Sequence, residues 1–292
     1  MNITDIGDVI NWIEQMENIH NSRSYNAPHF WKPFHFATIA TKAKLLNADI
    51  SIPPYQEQYA ARMGLWDAIG QKPPIMVNKN PAAGRFVEAR SISKTGDVHQ
   101  TSIDISEMFG GGINCQLTVD SIQTLMAELL DNCCSHSTTD SQKEDTFGLV
   151  CGQAWKKANL AQICITDCGI GIRKSLLDNE LLHERLRNEN ACSVAVEYGV
   201  TGKPGKSHSG YGLTLTNDLI SHCNGHLLLV SGNEYYQNSH HGVSHGTLGC
   251  GWDGTLLIFE WNLDRPLDVT SVYNGWPTPN CLSEDEYNEL FD

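Results

Sequence analysis

Ile165-Thr166-Asp167-Cys168-Gly169-Ile170-Gly171-Ile172 is the stretch that decides how this chain is read. The apolar run from Ala161 to Ile165 leads into it and reads as a buried strand, with Asp167 at its end. Gly169 and Gly171, at alternate positions, let the backbone turn sharply and lie close to a flat ligand. A carboxylate at Asp167 accepts a hydrogen bond from an exocyclic amine such as that of adenine. Alone, an Asp-Gly turn after a strand is a common turn. Three other pieces of the chain give it direction.

Toward the N-terminus, Thr118 to His136 reads as an amphipathic helix, with Thr118 as a candidate cap and Asp120 suited to the first turn. Ile122, Leu125, Met126, Leu129 and Cys133 form its apolar stripe, and Glu128, Asn132 and His136 recur every four residues beside it. A carboxylate and an amide one turn apart can serve a water and a metal ion. Taken alone, the same line also reads as a solvated helix flank. Toward the C-terminus, Gly199 to Leu213 is rich in Gly, Ser and Lys and runs into a helix reaching about His222, a ready site for an anion. Gly205-Lys206-Ser207 does not complete a P-loop, because position 200 is Val200 and no strand directly precedes it. Leu227 to Ser231 and Gly254 to Trp261 read as strands, and Glu234 to Gly251 as a loop. His240, His241 and His245 in that loop raise a metal site only as the lesser reading.

Four pieces therefore stand in order: Glu128-x-x-x-Asn132 on a helix, Asp167-x-Gly169-x-Gly171 after a strand, Gly210-x-Gly212 opening a helix, and Gly254-Thr255 on a strand. This set resembles the GHKL superfamily, the ATP-binding domains of type II topoisomerases, heat-shock chaperones, histidine kinases and mismatch-repair ATPases. The resemblance covers about residues 115–263 and implies an α/β fold. Residues 113–265 would form a two-layer α/β sandwich (the Bergerat fold) with a mixed sheet and helices on one face. A small α/β domain, 1–112, would precede it, and an acidic tail, 266–292, would follow.

The implied cofactors are ATP and Mg²⁺. By motif position, Glu128 would orient or deprotonate the attacking water, and Asn132 would bind the Mg²⁺ that bridges the phosphates. Asp167 would read the adenine amine, with Gly169, Gly171 and Ile172 shaping the adenine pocket and Thr255 supporting Asp167 or an adenine-side water. Gly210 and Gly212, flanking Tyr211 and followed by Leu213, would present backbone N–H groups to the phosphates. Residues 199–209 would be a lid, with Lys203, Lys206 or His208 as phosphate contacts. The spacing around Gly205 departs from the tight Gly-x-x-Gly-x-Gly of the topoisomerase branch. No phosphoacceptor hairpin is evident, since His20, His29 and His35 stand in no long helical hairpin.

In the first 112 residues, helical patterns cover Ile10 to Ile19, Phe34 to Leu46 and Tyr55 to Ile69. Short strands are expected at Ala48 to Ile52 and Arg85 to Ser93. The unit loosely resembles a regulatory domain of the anti-sigma-antagonist kind. Trp12, Trp31 and Trp66 read as core or interface. The chain has 292 residues, enough for two domains, and a net charge of −14, which argues against a general polyanion binder. No apolar run approaches the ~20 residues that span a bilayer. The first residues lack a secretory signal's basic and apolar regions. The ten cysteines show no paired Cys-x-x-Cys sets and read as small residues of a reduced, cytoplasmic protein.

The expected function is an ATP-hydrolysing conformational switch that acts on a protein partner, with a homodimer left open and neither membrane nor nucleic acid implied. The alternatives are a serine protein kinase of the anti-sigma type and a non-catalytic nucleotide-sensing module.

Overall fold

The structure, a computed structural model, describes residues 3–22, 25–78, 82, 84–93, 95–110, 116–135, 147–203 and 210–277. The N-terminal helices are α1 (Ile6–Ser22), α2 (Pro33–Leu45), α3 (Pro54–Arg62) and α4 (Leu65–Ala68). Then come β1 (Phe86–Ile92), α5 (Thr95–Gly110), α6 (Gln116–Ser135), β2 (Gly148–Trp155) and β3 (Leu160–Asp167). Short helices α7 (Ile172–Leu176), α8 (His183–Asn188) and α9 (Ala191–Ala195) lead to α10 (Gly212–Cys223). A hairpin of β4 (His226–Ser239) and β5 (Gly242–Asn262) and a last helix α11 (Val269–Gly275) follow.

The five strands form one sheet in the order β1-β2-β3-β5-β4. Every residue of β3 is buried, as a strand covered on both faces requires. Its side chains alternate. Ala161, Ile163 and Ile165 enter a core with α5, α6 and α10, whereas Cys164 enters a second core with α1 to α4. β4 and β5 divide likewise: Leu227, Leu229, Leu257 and Phe259 face the first core, and Leu228, Val230, Leu256 and Ile258 the second. The period of two thus builds three layers from one sheet.

This arrangement corrects several expectations. The sheet is not mixed: every pairing is antiparallel. The connections explain part of this. The β2–β3 link is a single turn around Lys156–Ala158, the β4–β5 link is a tight turn, and short links of that kind join antiparallel neighbours. The helices within residues 113–265 pack on one face of the sheet as expected, but α1 to α4 add a further layer on the other face. Residues 1–112 do not form a core of their own, because β1 is an edge strand of the same sheet and α1 to α4 pack on its second face. No strand forms at 48–52. The expected helix at 55–69 is interrupted at Met63–Gly64, where the Met63 carbonyl accepts a 2.7 Å hydrogen bond from Ala89 N of β1. Residues 234–251 are not a loop but the arm of the β4–β5 hairpin, paired out to Ser239–Gly242. Thr118 does not cap α6. It lies inside the helix, and its Oγ1 accepts from Leu267 N at 3.1 Å. The acidic residues after 277 lie outside the described residues. Cys133 and Cys164 are buried and Cys168 half-buried, and none of the three is in a disulfide.

A buried carboxylate ties the N-terminal layer down. Glu260 of β5 is fully buried and accepts from Thr4 N at 2.7 Å, Thr4 Oγ1 at 2.6 Å and Gln162 Nε2 at 2.6 Å. His226 Nδ1 lies 3.4 Å and Lys32 Nζ 3.9 Å from it. Burial works against the charged form, but the His226 hydrogen bond, the Lys32 charge and the Thr4 hydrogen bonds outweigh it and hold the carboxyl below its ordinary value. Its contribution is therefore present above the usual carboxylate value of about 4.3 and lost as pH falls through the lower folded value. Glu260→Ala takes the carboxylate away from Thr4, Gln162 and Lys32, and removing one member of a buried charge pair costs about 3–5 kcal/mol. Urea unfolding at pH 7 should read a loss of that size. A loss below about 1 kcal/mol, the worth of one ordinary hydrogen bond, would remove Glu260 as the anchor of this layer.

Candidate functional site

Asp167 continues the odd-numbered series of β3, so its side chain enters the layer of α6 and α10. There it reaches the end of the sheet with 8 % of its surface exposed. Its Oδ1 accepts from Gly169 N at 2.8 Å and from Thr255 N of β5 at 3.2 Å. Burial raises the Asp167 pKa from 3.8 to about 6, against the opposing pull of those hydrogen bonds. Gly254 passes directly over this carboxylate. Its φ is +89°, and a Cβ there would lie 2.3 Å from the Asp167 carbonyl and 2.6 Å from Oδ1, so only glycine fits. Ser231 of β4 closes the far side: its Oγ accepts from Ile172 N at 2.8 Å and donates to the Gly254 carbonyl at 2.7 Å. The Asp-x-Gly-x-Gly turn is thereby bolted to both strands of the hairpin.

The other end of the site lies between two helices. Glu128 and Asn132 stand one turn apart on α6, Glu128 exposed at the mouth and Asn132 half-buried. Gly212 opens α10 against both. A Cβ on it would come within 3.2 Å of the Asn132 amide nitrogen and of Glu128 Cβ. A glycine thus brings a helix N-terminus, with its free N–H groups, against a carboxylate and an amide.

A cavity of about 570 Å³ joins the two ends. Glu128, Asn132, Asp167, Gly171, Ile172 and Thr255 line it. So do Gly210, Tyr211, Gly212 and Leu213. Gly169 is not in the wall; it serves Asp167 through its N–H. Lys206, His208 and His136 lie outside the described residues, as does most of the expected lid. Lys203 is described, at the near end of that segment, with its N bonded to Thr201 Oγ1 at 3.2 Å, and it is not in the wall. The rings of His240 and His241 lie 3.7 Å apart at the hairpin turn, tilted by 42°, and His245 pairs with Tyr236 across the strands. Among the described residues no group of three or more His, Cys, Asp or Glu could hold a metal ion. The Asn132 amide and Glu128 carboxylate are instead the sparse, hard oxygen donors that suit Mg²⁺, which keeps several waters and borrows phosphate oxygens.

Sequence reasoning missed part of the wall. Val98 and His99 of α5 contribute to it, as do Asp131 and Ser175. Asp131 could have been found from its place beside Asn132 on the helix. Val98 and His99 had no local signal, because only the packing of α5 on α6 brings them there. Compared with known proteins, the chain has no significant match to a family model, a curated protein or a solved structure.

The raised Asp167 pKa carries a stability consequence. An acid whose folded pKa lies above its unfolded value favours the fold below the unfolded pKa and loses that contribution as pH rises through the folded one. In the ligand-free protein, wild type should therefore lose stability relative to Asp167→Asn between about pH 4 and pH 6, by about 2–3 kcal/mol. Parallel stability curves from pH 4 to 8 for the two proteins would refute the burial of a charged Asp167.

Proposed function

We propose that this chain is a Mg²⁺-dependent adenine-nucleotide-binding protein of the GHKL type that hydrolyses ATP as a conformational switch for a protein partner. The observation that carries this is the joining of Asp167 with the Glu128, Asn132 and Gly212 group by one cavity of about 570 Å³, within the usual size of a small-ligand site of about 300–1,000 Å³. The antiparallel sheet differs from the mixed sheet that the resemblance implies, so the site, not the fold, supports the assignment.

In this reading the second oxygen of Asp167 accepts from the adenine amine while Oδ1 stays with Gly169 and Thr255. Asn132 holds the Mg²⁺ ion, whose charge offsets that of the phosphates. Gly212 and its neighbours direct backbone N–H groups at the same phosphates. Glu128, at the open mouth, orients a nucleophile or takes its proton. Water and a partner's serine hydroxyl can both reach that place, so hydrolysis and phosphoryl transfer are separated by experiment.

Asp167→Asn tests the adenine contact. Losing a hydrogen bond to a charged acceptor costs about 1.5–3 kcal/mol, so calorimetry should show ATP affinity falling about ten- to a hundredfold. Unchanged affinity would sink the adenine assignment.

Glu128→Ala separates binding from chemistry. General-base action contributes about 10²–10⁴-fold, so ATP binding should persist while phosphate release falls by that factor. Undiminished turnover would remove Glu128 from the mechanism, and labelled protein in place of free phosphate would move the assignment to a kinase.

A further inference from the structure

The segment after Pro266 returns to the site from the outside. Leu267 and Val269 are pinned to the first turns of α6 by two buried side chains. Leu267 N donates to Thr118 Oγ1 at 3.1 Å, Ser121 Oγ donates to the Leu267 carbonyl at 3.0 Å, and Val269 N donates to Ser121 Oγ at 3.0 Å. Val272 of α11 enters the core, and the chain then reaches Trp276. The indole Nε1 of Trp276 donates to Asp218 Oδ2 of α10 at 2.7 Å. Its rings lie 5.3 Å from Tyr211, 5.2 Å from Tyr198 and 5.1 Å from Tyr273, and Tyr198 and Tyr211 are themselves 5.0 Å apart. Tyr211 lines the cavity and directly precedes Gly212. Tyr273 lies near Glu128: burial first, and then the Glu128 charge, raise its hydroxyl pKa.

We propose that Trp276 is a positioning residue for the phosphate end of the cavity. Fixed to α6 through its own segment, it holds Tyr211 and Asp218 and so sets the spacing between Gly212 on α10 and the Glu128–Asn132 pair on α6. The adenine end is held differently, by the bonds of Asp167, Ser231 and Thr255 among β3, β4 and β5. Loss of Trp276 should therefore act on one end of the cavity only. Its functional consequence rests on the adenine-nucleotide reading, but its geometric consequence does not.

The test uses the full chain as wild type, Trp276→Ala and Trp276→Phe. Amide hydrogen exchange is followed without ligand, and adenosine and MgATP are titrated separately. In Trp276→Ala, exchange should quicken about tenfold or more over Leu213–Leu219, with the strands β3 and β5 unchanged, since local opening is independent of the global transition. MgATP affinity should fall about tenfold or more, the scale of one lost hydrogen bond to a charged group, while adenosine affinity stays within about twofold. Trp276→Phe keeps a ring against the three tyrosines and gives up the bond to Asp218, so its selective loss of MgATP affinity should be smaller. If the alanine variant does not fold, that selectivity in the phenylalanine variant decides. Unchanged exchange at the start of α10, equal quickening in the strands, or parallel loss of adenosine and MgATP affinity would each overturn the proposal. A wild type that binds neither ligand would remove the nucleotide reading, and the exchange pattern would then decide the positioning role by itself.

Discussion

The Asp167 carboxylate is buried at the end of β3, and one of its oxygens is held by N–H donors from the turn that follows it and from β5. A charge in that place is costly unless it is hydrogen-bonded. Satisfying it fixes much else. β5 must pair with β3 up to Thr166–Leu256 so that Thr255 N arrives at the carboxylate. Gly254 must lack a side chain, because its backbone crosses the oxygen that Thr255 N approaches. Ser231 must then come from β4 to hold both the Gly254 carbonyl and the Ile172 amide, which binds the turn to the hairpin. The β3 turn, the order β3-β5-β4 and the floor of the cavity are therefore consequences of one buried group.

The second face of the sheet solves a similar problem. Gln162 and Glu260 alternate with apolar neighbours on β3 and β5, so their polar ends point into the layer of α1 to α4. They are satisfied by the segment farthest away in sequence. Thr4 supplies two donors to Glu260, and Phe34 N donates to Gln162 Oε1 at 3.2 Å. Together with the apolar packing of α1 and α2, this makes residues 3–45 a cover for the sheet, not a separate unit. The helical cover and the cavity lie on opposite faces of β3 and share its backbone.

What the sequence disclosed follows from the range of each interaction. The alternation Ala161, Ile163, Ile165 and the position of Asp167 are local, and so is the four-residue spacing of Glu128 and Asn132; each could be read directly. The arm Gly232–Trp252 could not, because its glycines, asparagines and histidines carry little strand propensity. It is a strand pair because Tyr236 and Asn238 bond to Asn217 of α10, and Asn190 bonds to the Gly246 carbonyl. The break at Gly64 likewise depends on β1 arriving at Met63. Thr118 has the chemistry of a helix cap, and only the return of Leu267 shows that its hydroxyl has another use. Interactions within about one helical turn were legible, whereas those between residues a hundred or more apart, such as Thr118 with Leu267, were not.

The charge of the cavity wall constrains any phosphate-bearing ligand. Among the described lining residues, Glu128, Asp131 and Asp167 carry carboxylates, and there is no lysine or arginine. The whole chain is also acidic, at −14. On the nucleotide reading, a triphosphate entering this field is repelled unless something of opposite sign accompanies it. Within the described wall, the N–H groups at the start of α10, with the partial positive charge of about half a unit that a helix N-terminus carries, would supply such charge, and on this reading a cation beside Asn132 would add to it. A side chain at Gly212 would push the first of these away from the second. On the same reading, the close approach of Gly212 to Glu128 and Asn132 would have an electrostatic meaning: it would set the compensating charge where the wall is most acidic and tie recognition of phosphates to a cation held there.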